Sequence, residues 1–236
     1  MSRPRAAMPP TAFTPDLTAG AAEADAPPSS STLVVRAVIR GLYEGHYAPG
    51  QRLVEPDLMA QFGVSRSTVR EALKQLAADG IIVAHPHRGA QIRRLTRSEA
   101  ANLFALTEVV LGLAARQAAA HIYKPGAREQ IEALFQDIAA FCEEEGRFEF
   151  LRRRDRYLRA LVRISENEEL FRVLPRLQVH LIRKRLAVPP SERIRGYRKM
   201  TDAILRGDPV AAEKAARGYV ARAATRTLPA FPERLD

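Results

Sequence analysis

The sequence predicts a mainly α-helical chain in two parts. Three helices and a short β-hairpin come first, and an all-α bundle of about six helices follows. Three observations carry this. Apolar residues recur at helical spacing over most of the chain between Thr32 and Thr227. Two short β-rich runs, Ile81-Ile82-Val83 and Ala90-Gln91-Ile92, flank the polar turn His85-Pro86-His87-Arg88-Gly89. Glycine and proline at Gly45, Pro49-Gly50, Gly63, Gly80, Pro125-Gly126, Pro189-Pro190 and Gly207-Asp208-Pro209 cut the remainder into helix-length segments.

Residues 1–31 carry Pro4, Pro9, Pro10, Pro15, Pro27 and Pro28 and almost no packing face, so a disordered arm is expected. The first helix starts near Thr32, with Leu33, Val34, Ala37, Val38 and Leu42 inward. It ends near Gly45. Glu55-Pro56 opens the second helix, since proline suits the first helical position. Leu58, Met59 and Phe62 face inward, and Gly63 stops it. Ser65 caps a third helix that buries Val69, Ala72, Leu73 and Leu76. That leaves Ser65, Arg66, Ser67, Thr68 and Arg70 on its N-terminal end and outer face. Free N–H groups, positive helix dipole, hydroxyls and two arginines suit phosphate and a major groove. Three helices and a hairpin make a winged helix-turn-helix. Its tip would place His87, Arg88 and the Gly89 backbone against phosphate or a minor groove.

The chain has 236 residues and a formal charge of +10, which favours a polyanionic partner without locating it. Residues 32–95 hold nine Lys and Arg against five Asp and Glu; residues 147–195 hold fourteen against six. The larger basic excess therefore lies outside the candidate DNA-reading helix. Cys142 is the single cysteine, so no intrachain disulfide and no cysteine-rich zinc site can form. No uninterrupted run of about 18 apolar residues occurs, and the N-terminus lacks a continuous apolar leader core. A cytoplasmic protein without membrane contact is expected.

The ordered series Pro49-Gly50, Leu53, Glu55, Leu58, Phe62-Gly63-Val64-Ser65-Arg66-Ser67-Thr68-Val69-Arg70-Glu71-Ala72-Leu73, Leu76, Gly80 and Arg88-Gly89 resembles the DNA-binding domain of the GntR family of bacterial transcription regulators. The resemblance covers about residues 32–95. It implies a homodimer on a pseudo-palindromic double-stranded DNA operator. It also implies contacts from Arg66, Ser67, Thr68, Arg70, Arg88 and Gly89. Some members carry a phosphate-contacting arginine directly after the matched glutamate; here Pro56 stands there.

Residues 93–98 read as a linker. Thr96 or Ser98 caps a helix to about His121, with Leu103, Leu106, Val110, Leu113 and Ala114 inward. Helices are expected over 127–145, 148–164, 168–187, 191–206 and 209–227, with a tail over 229–236. The acidic run Glu143-Glu144-Glu145 sits where a helix dipole disfavours acids. Asp155, Leu161, Asn167 and Leu170, then Ala203-Ile204, Gly207-Asp208, Ala212 and Ala216, are similar to the all-helical effector domain of the FadR-like subgroup (FCD domain). The domain assignment is therefore 32–95 for DNA binding and 96–228 for effector binding and dimerisation.

Many members of that subgroup hold a divalent metal with one Asp and three His. The matching positions here are Asp155, Arg159, Tyr197 and Tyr219. Arginine stays protonated and cannot ligate, and neutral tyrosine is a poor ligand. No metal and no cofactor is therefore expected. An arginine and two phenols inside an apolar bundle suit a carboxylate or phosphate instead. The expected effector is a small anionic metabolite, an organic acid, at Asp155, Arg159, Tyr197 and Tyr219. The alternatives are a metal-dependent organic-acid sensor and a sensor of acyl-CoA-like bulky ligands. Catalysis is not expected: the sequence has no Gly-rich phosphate loop, Gly-x-Ser-x-Gly elbow or His-Glu-x-x-His motif.

Overall fold

The computed structural model describes residues 28–85, 89–142, 146–173 and 188–234. They divide into two compact units between Arg94 and Leu95.

The first unit holds α1 (Ser30–Glu44), β1 (Arg52–Leu53), α2 (Glu55–Phe62), α3 (Arg66–Ala78), β2 (Ile82–His85) and β3 (Gly89–Ile92). The strands form an antiparallel sheet ordered β1-β3-β2, with Leu53 opposite Ala90 and His85 opposite Gly89. The third strand, β1, is an addition to the expected hairpin; at two residues it has no periodicity to read. α3 packs on α1, α2 and β2. Val34, Val35, Val38, Ile39, Leu42, Leu58, Val69, Ala72 and Leu76 form the core. Val35 and Ile39 take the inward role expected of Leu33 and Ala37, and Leu33 is exposed. Residues 1–27, where most of the expected arm lies, fall outside the described residues.

The second unit holds six described α-helices: α4 (Arg97–Ala120), α5 (Ala127–Ala139), α6 (Gly146–Ser165), α7 (Glu168–Val173), α8 (Pro190–Leu205) and α9 (Pro209–Thr227). Local chemistry sets their starts. Thr96 and Glu99 form a reciprocal capping box on α4, and Asp208 caps α9 at the Ala211 N–H. The α4–α9 pair is the most extensive helix contact. It is lined by small residues, Ala114, Ala115 and Ala118 against Ala212, Ala216 and Ala223, all buried. Ion pairs Arg217–Glu108 (3.1 Å) and Arg116–Glu213 (3.0 Å) border the pair and show it to be antiparallel. α8 packs on α9, α5 and α4, and α6 packs on α4 and α5.

Two expectations need correction. Leu106 and Leu113 of α4 were expected inward, yet they are 48% and 38% exposed. The bundle buries Phe104, Leu111 and the alanines instead, because a close helix approach favours small side chains. α4 is also long and apolar enough, by length and composition, to cross a membrane, although its apolar residues form no uninterrupted run. Its composition is accounted for by packing against α9, α6 and α8. The fourth helix of this unit is described only over Glu168–Val173; the rest of the expected 168–187 span, and Glu143–Glu145, lie outside the described residues.

Candidate DNA interface and effector pocket

The N-terminal end of α3 is built by two local devices. Gly63 adopts φ 63°, ψ 34°, and its N–H closes α2 on the Met59 carbonyl at 2.9 Å. A left-handed residue here favours glycine because it has no Cβ to clash. Ser65 is then the N-cap: its Oγ accepts from the Thr68 N–H at 3.2 Å and lies within 2.9 Å of the Ser67 and Thr68 hydroxyls. Ser65, Arg66, Ser67 and Arg70 are exposed and Thr68 is partly so.

Glu55, at the start of α2, holds both arginines. Arg66 Nε donates to Glu55 Oε2 at 2.9 Å, and Arg70 Nε donates to Glu55 Oε1 at 3.0 Å. The Arg66 hydrogen bond is the main reason the Glu55 carboxyl is held below its usual range. Only Nε of each guanidinium is engaged, so both Nη groups remain to address a base edge or a phosphate. With Arg66 66% and Arg70 57% exposed at the side chain, these pairs each contribute at most ~1 kcal/mol. They orient the arginines at a cost DNA can readily offset. Glu55 was matched to a motif in the sequence, but its positioning role was not read there. The eleven- and fifteen-residue separations correspond to no periodicity.

His87 and Arg88 lie outside the described residues. Gly89 begins β3 with φ +80°, opposite His85. That φ explains the glycine, since side chains rarely adopt it.

In the helical unit the four expected pocket residues form two pairs. Arg159 Nε donates to Asp155 Oδ2 at 2.8 Å across one turn of α6. The Tyr197 and Tyr219 rings meet at 5.1 Å between centroids. The link between α6 and the tyrosines is made by Arg154, which sequence reasoning missed, and not by Arg159: Arg154 Nε donates to the Tyr197 hydroxyl at 2.9 Å. Arg154 sits in the run Arg152-Arg153-Arg154, where pattern gives no reason to single it out. Tyr157 extends the seam, edge-on to Tyr197 at 5.3 Å, with its hydroxyl 2.8 Å from Thr201 Oγ1. Tyr157, Tyr197 and Thr201 are fully buried. Burial raises the Tyr157 and Tyr219 phenols far above their ordinary value, so both stay neutral.

Gly196 makes the tyrosine pair possible. A Cβ there would lie 2.4 Å from Tyr219 Cδ2. A divalent metal does not fit the four positions: the one carboxylate is already paired with an arginine, and the others are an arginine and two phenols. Among the described residues no three His, Cys, Asp or Glu side chains gather into a metal-ligating group.

Glu55→Gln is expected to release Arg66 and Arg70 and to remove a negative charge beside the DNA. Affinity for random-sequence duplex should rise while the ratio of specific to random binding falls, read by anisotropy titration at fixed salt. An unchanged ratio would show that Glu55 does not position the arginines. Because the Glu55 carboxyl is depressed in the fold, its stabilising pairing is complete above the ordinary carboxylate range. It is lost as pH falls through the folded value.

Comparison with known proteins identifies both units. Residues 31–92 match the family described as "Bacterial regulatory proteins, gntR family", and residues 102–222 match the FCD domain. The chain is 27% identical over 188 residues to the "Probable D-xylose utilization operon transcriptional repressor" of Paenarthrobacter nicotinovorans, covering 78% of this chain and 82% of that protein. It is 25% identical over 187 residues to the "HTH-type transcriptional repressor RspR" of Escherichia coli K12, covering 77% and 82%. Among solved structures, a GntR regulator from Rhodococcus sp. RHA1 superposes with a TM-score of 0.71 at 20% identity, covering 86% of this chain and all of that one. E. coli McbR/YncC superposes with a TM-score of 0.69 at 18% identity, covering 86% and 97%; at such identities the likeness shows the fold. With a DNA-reading head and an FCD domain matched in order, the chain belongs to the GntR family and is a transcription regulator, not an enzyme.

Proposed function

We propose that this regulator is a homodimeric repressor that binds a pseudo-palindromic operator in the cytoplasm and releases it when a small anionic metabolite enters the helical domain without metal. The observation that carries the DNA-reading part is the Glu55-held pair Arg66 and Arg70, presented at a capped helix N-terminus with their Nη groups outward. Ser65, Ser67 and Thr68 supply hydroxyls on the same end, and the hairpin residues His87, Arg88 and Gly89 are the second contact. The repressor sign is supported by two relatives that carry that word in their names.

Dimerisation is supported by the stripe that the bundle leaves uncovered. Leu106, Val109 and Leu113 lie three and four apart on α4, with 48%, 53% and 38% of their surface exposed. A second copy pairing the same stripe would cover three large apolar side chains.

The effector region is the polar seam Arg154–Tyr197–Tyr219, with Asp155 and Arg159 beside it on α6. Arg154 joins the expected set as an anion-binding group. Two neutral phenols and arginine favour a carboxylate over an acyl chain. Binding there would shift α6 against α8 and α9, and through the helical domain the spacing of the two heads.

Arg66→Ala should lose ~1–3 kcal/mol of specific affinity for a duplex selected by the protein from a random library, with its sedimentation unchanged. Equal affinity of variant and wild type would remove the arginine from the interface. Val109→Asp should shift sedimentation from dimer to monomer and weaken operator binding; a variant that sediments as a dimer would place the interface elsewhere.

A further inference from the structure

An open cleft of about 330 Å³ runs between α8 and α9, lined by Glu192, Arg195, Gly196, Lys199, Arg222 and Arg226. Arg154, Tyr197 and Tyr219 of the interior seam do not line it, and it borders Gly196, the residue against which the Tyr219 ring packs. Four cations face one carboxylate. Glu192 is taken by Arg226, Nη2 to Oε2 at 3.1 Å. Arg195, Lys199 and Arg222 make no ion pair among the described residues. The cations also stand in like-charge pairs one turn apart, Arg195 with Lys199 on α8 and Arg222 with Arg226 on α9. Such like-charge pairs destabilise a helix. Among the described residues, these three cations from two helices border a hollow with no carboxylate free to balance them.

Shape narrows the ligand. Gly196 lines the cleft, so the cleft reaches the α8 backbone between the two cationic rims. The volume lies at the small end of the range for ligand sites, ~300–1,000 Å³, and suits a small ligand. A dianionic phosphate monoester matches three converging cations better than a monocarboxylate does, because its three oxygens each accept charge-assisted hydrogen bonds.

We infer that this cleft is a second ligand site, which binds a small phosphate monoester through Arg195, Lys199 and Arg222. The inference goes beyond the interior-seam reading and does not rest on it. Its functional use rests only on the helical domain being the effector half. Tyr219 packs against the Gly196 backbone on one side and Tyr197 on the other, so occupancy of the cleft reaches the Arg154–Tyr197 bond through two ring contacts.

The test is calorimetric titration of the full-length protein with glucose 6-phosphate and with AMP, against glucose and sulfate at matched ionic strength. It is run in parallel on Lys199→Gln/Arg222→Gln, two exposed substitutions whose folding is checked by circular dichroism. At least one phosphate ester is expected to bind saturably with glucose silent, and the double variant is expected to bind it about tenfold more weakly or less. Four results overturn the site: no ester binds, sulfate binds as tightly as the esters, the double variant binds them unchanged, or the double variant instead loses affinity for ligand-free operator DNA. Binding is measured directly, so failure here leaves the seam reading standing. Failure of the seam appears separately, as organic acids that bind wild type and Arg154→Lys alike.

Discussion

The proposed DNA-reading surface rests on one carboxylate placed between two arginines. Glu55 opens α2, and Arg66 and Arg70 lie one turn apart at the start of α3. Gly63 sets the exit of the first helix and Ser65 the entry of the second, so the turn fixes where the carboxylate meets the guanidinium groups. The pairing is weak because it is exposed, and that weakness is useful. A buried pair would hold the arginines too strongly to exchange partners, and unpaired arginines would sample many rotamers and lose entropy on binding.

The helical unit follows the opposite logic. Its tyrosine seam is enclosed, and Arg154 reaches into it to bond Tyr197. Tyr157, Tyr197 and Tyr219 form a run of ring contacts between α6, α8 and α9, and Gly196 sets how closely the last ring approaches α8. Where the subgroup pattern places metal ligands, this chain places an arginine and phenols. In the proposed effector region, recognition would thereby rest on hydrogen bonds and charge and not on a Lewis acid.

Much of the fold was legible because its boundaries are chemical. Ser65, Asp208 and the Thr96–Glu99 box are caps, and Gly63 and Gly207 adopt the left-handed conformation that glycine offers. The inward face of α4 was misread because hydropathy ranks leucine above alanine, whereas a tight helix pair selects for size. Leu106 and Leu113 were therefore left outside. At the site, the Asp155–Arg159 pair follows from a spacing of one helical turn. Arg154 and the Glu55 arrangement were not legible: both depend on contacts between helices distant in sequence, which a single-chain pattern does not encode.

The exchange of Arg66 and Arg70 from Glu55 to DNA is tested most directly by NMR of the arginine Nε–H groups. The full-length protein would be observed free and bound to a duplex selected from a random library, with signals assigned by lysine substitution. The account predicts two Nε–H resonances, from Arg66 and Arg70, protected in the free protein and shifted when the specific duplex is added. Resonances that stay in place while the protein is saturated with that duplex would contradict it.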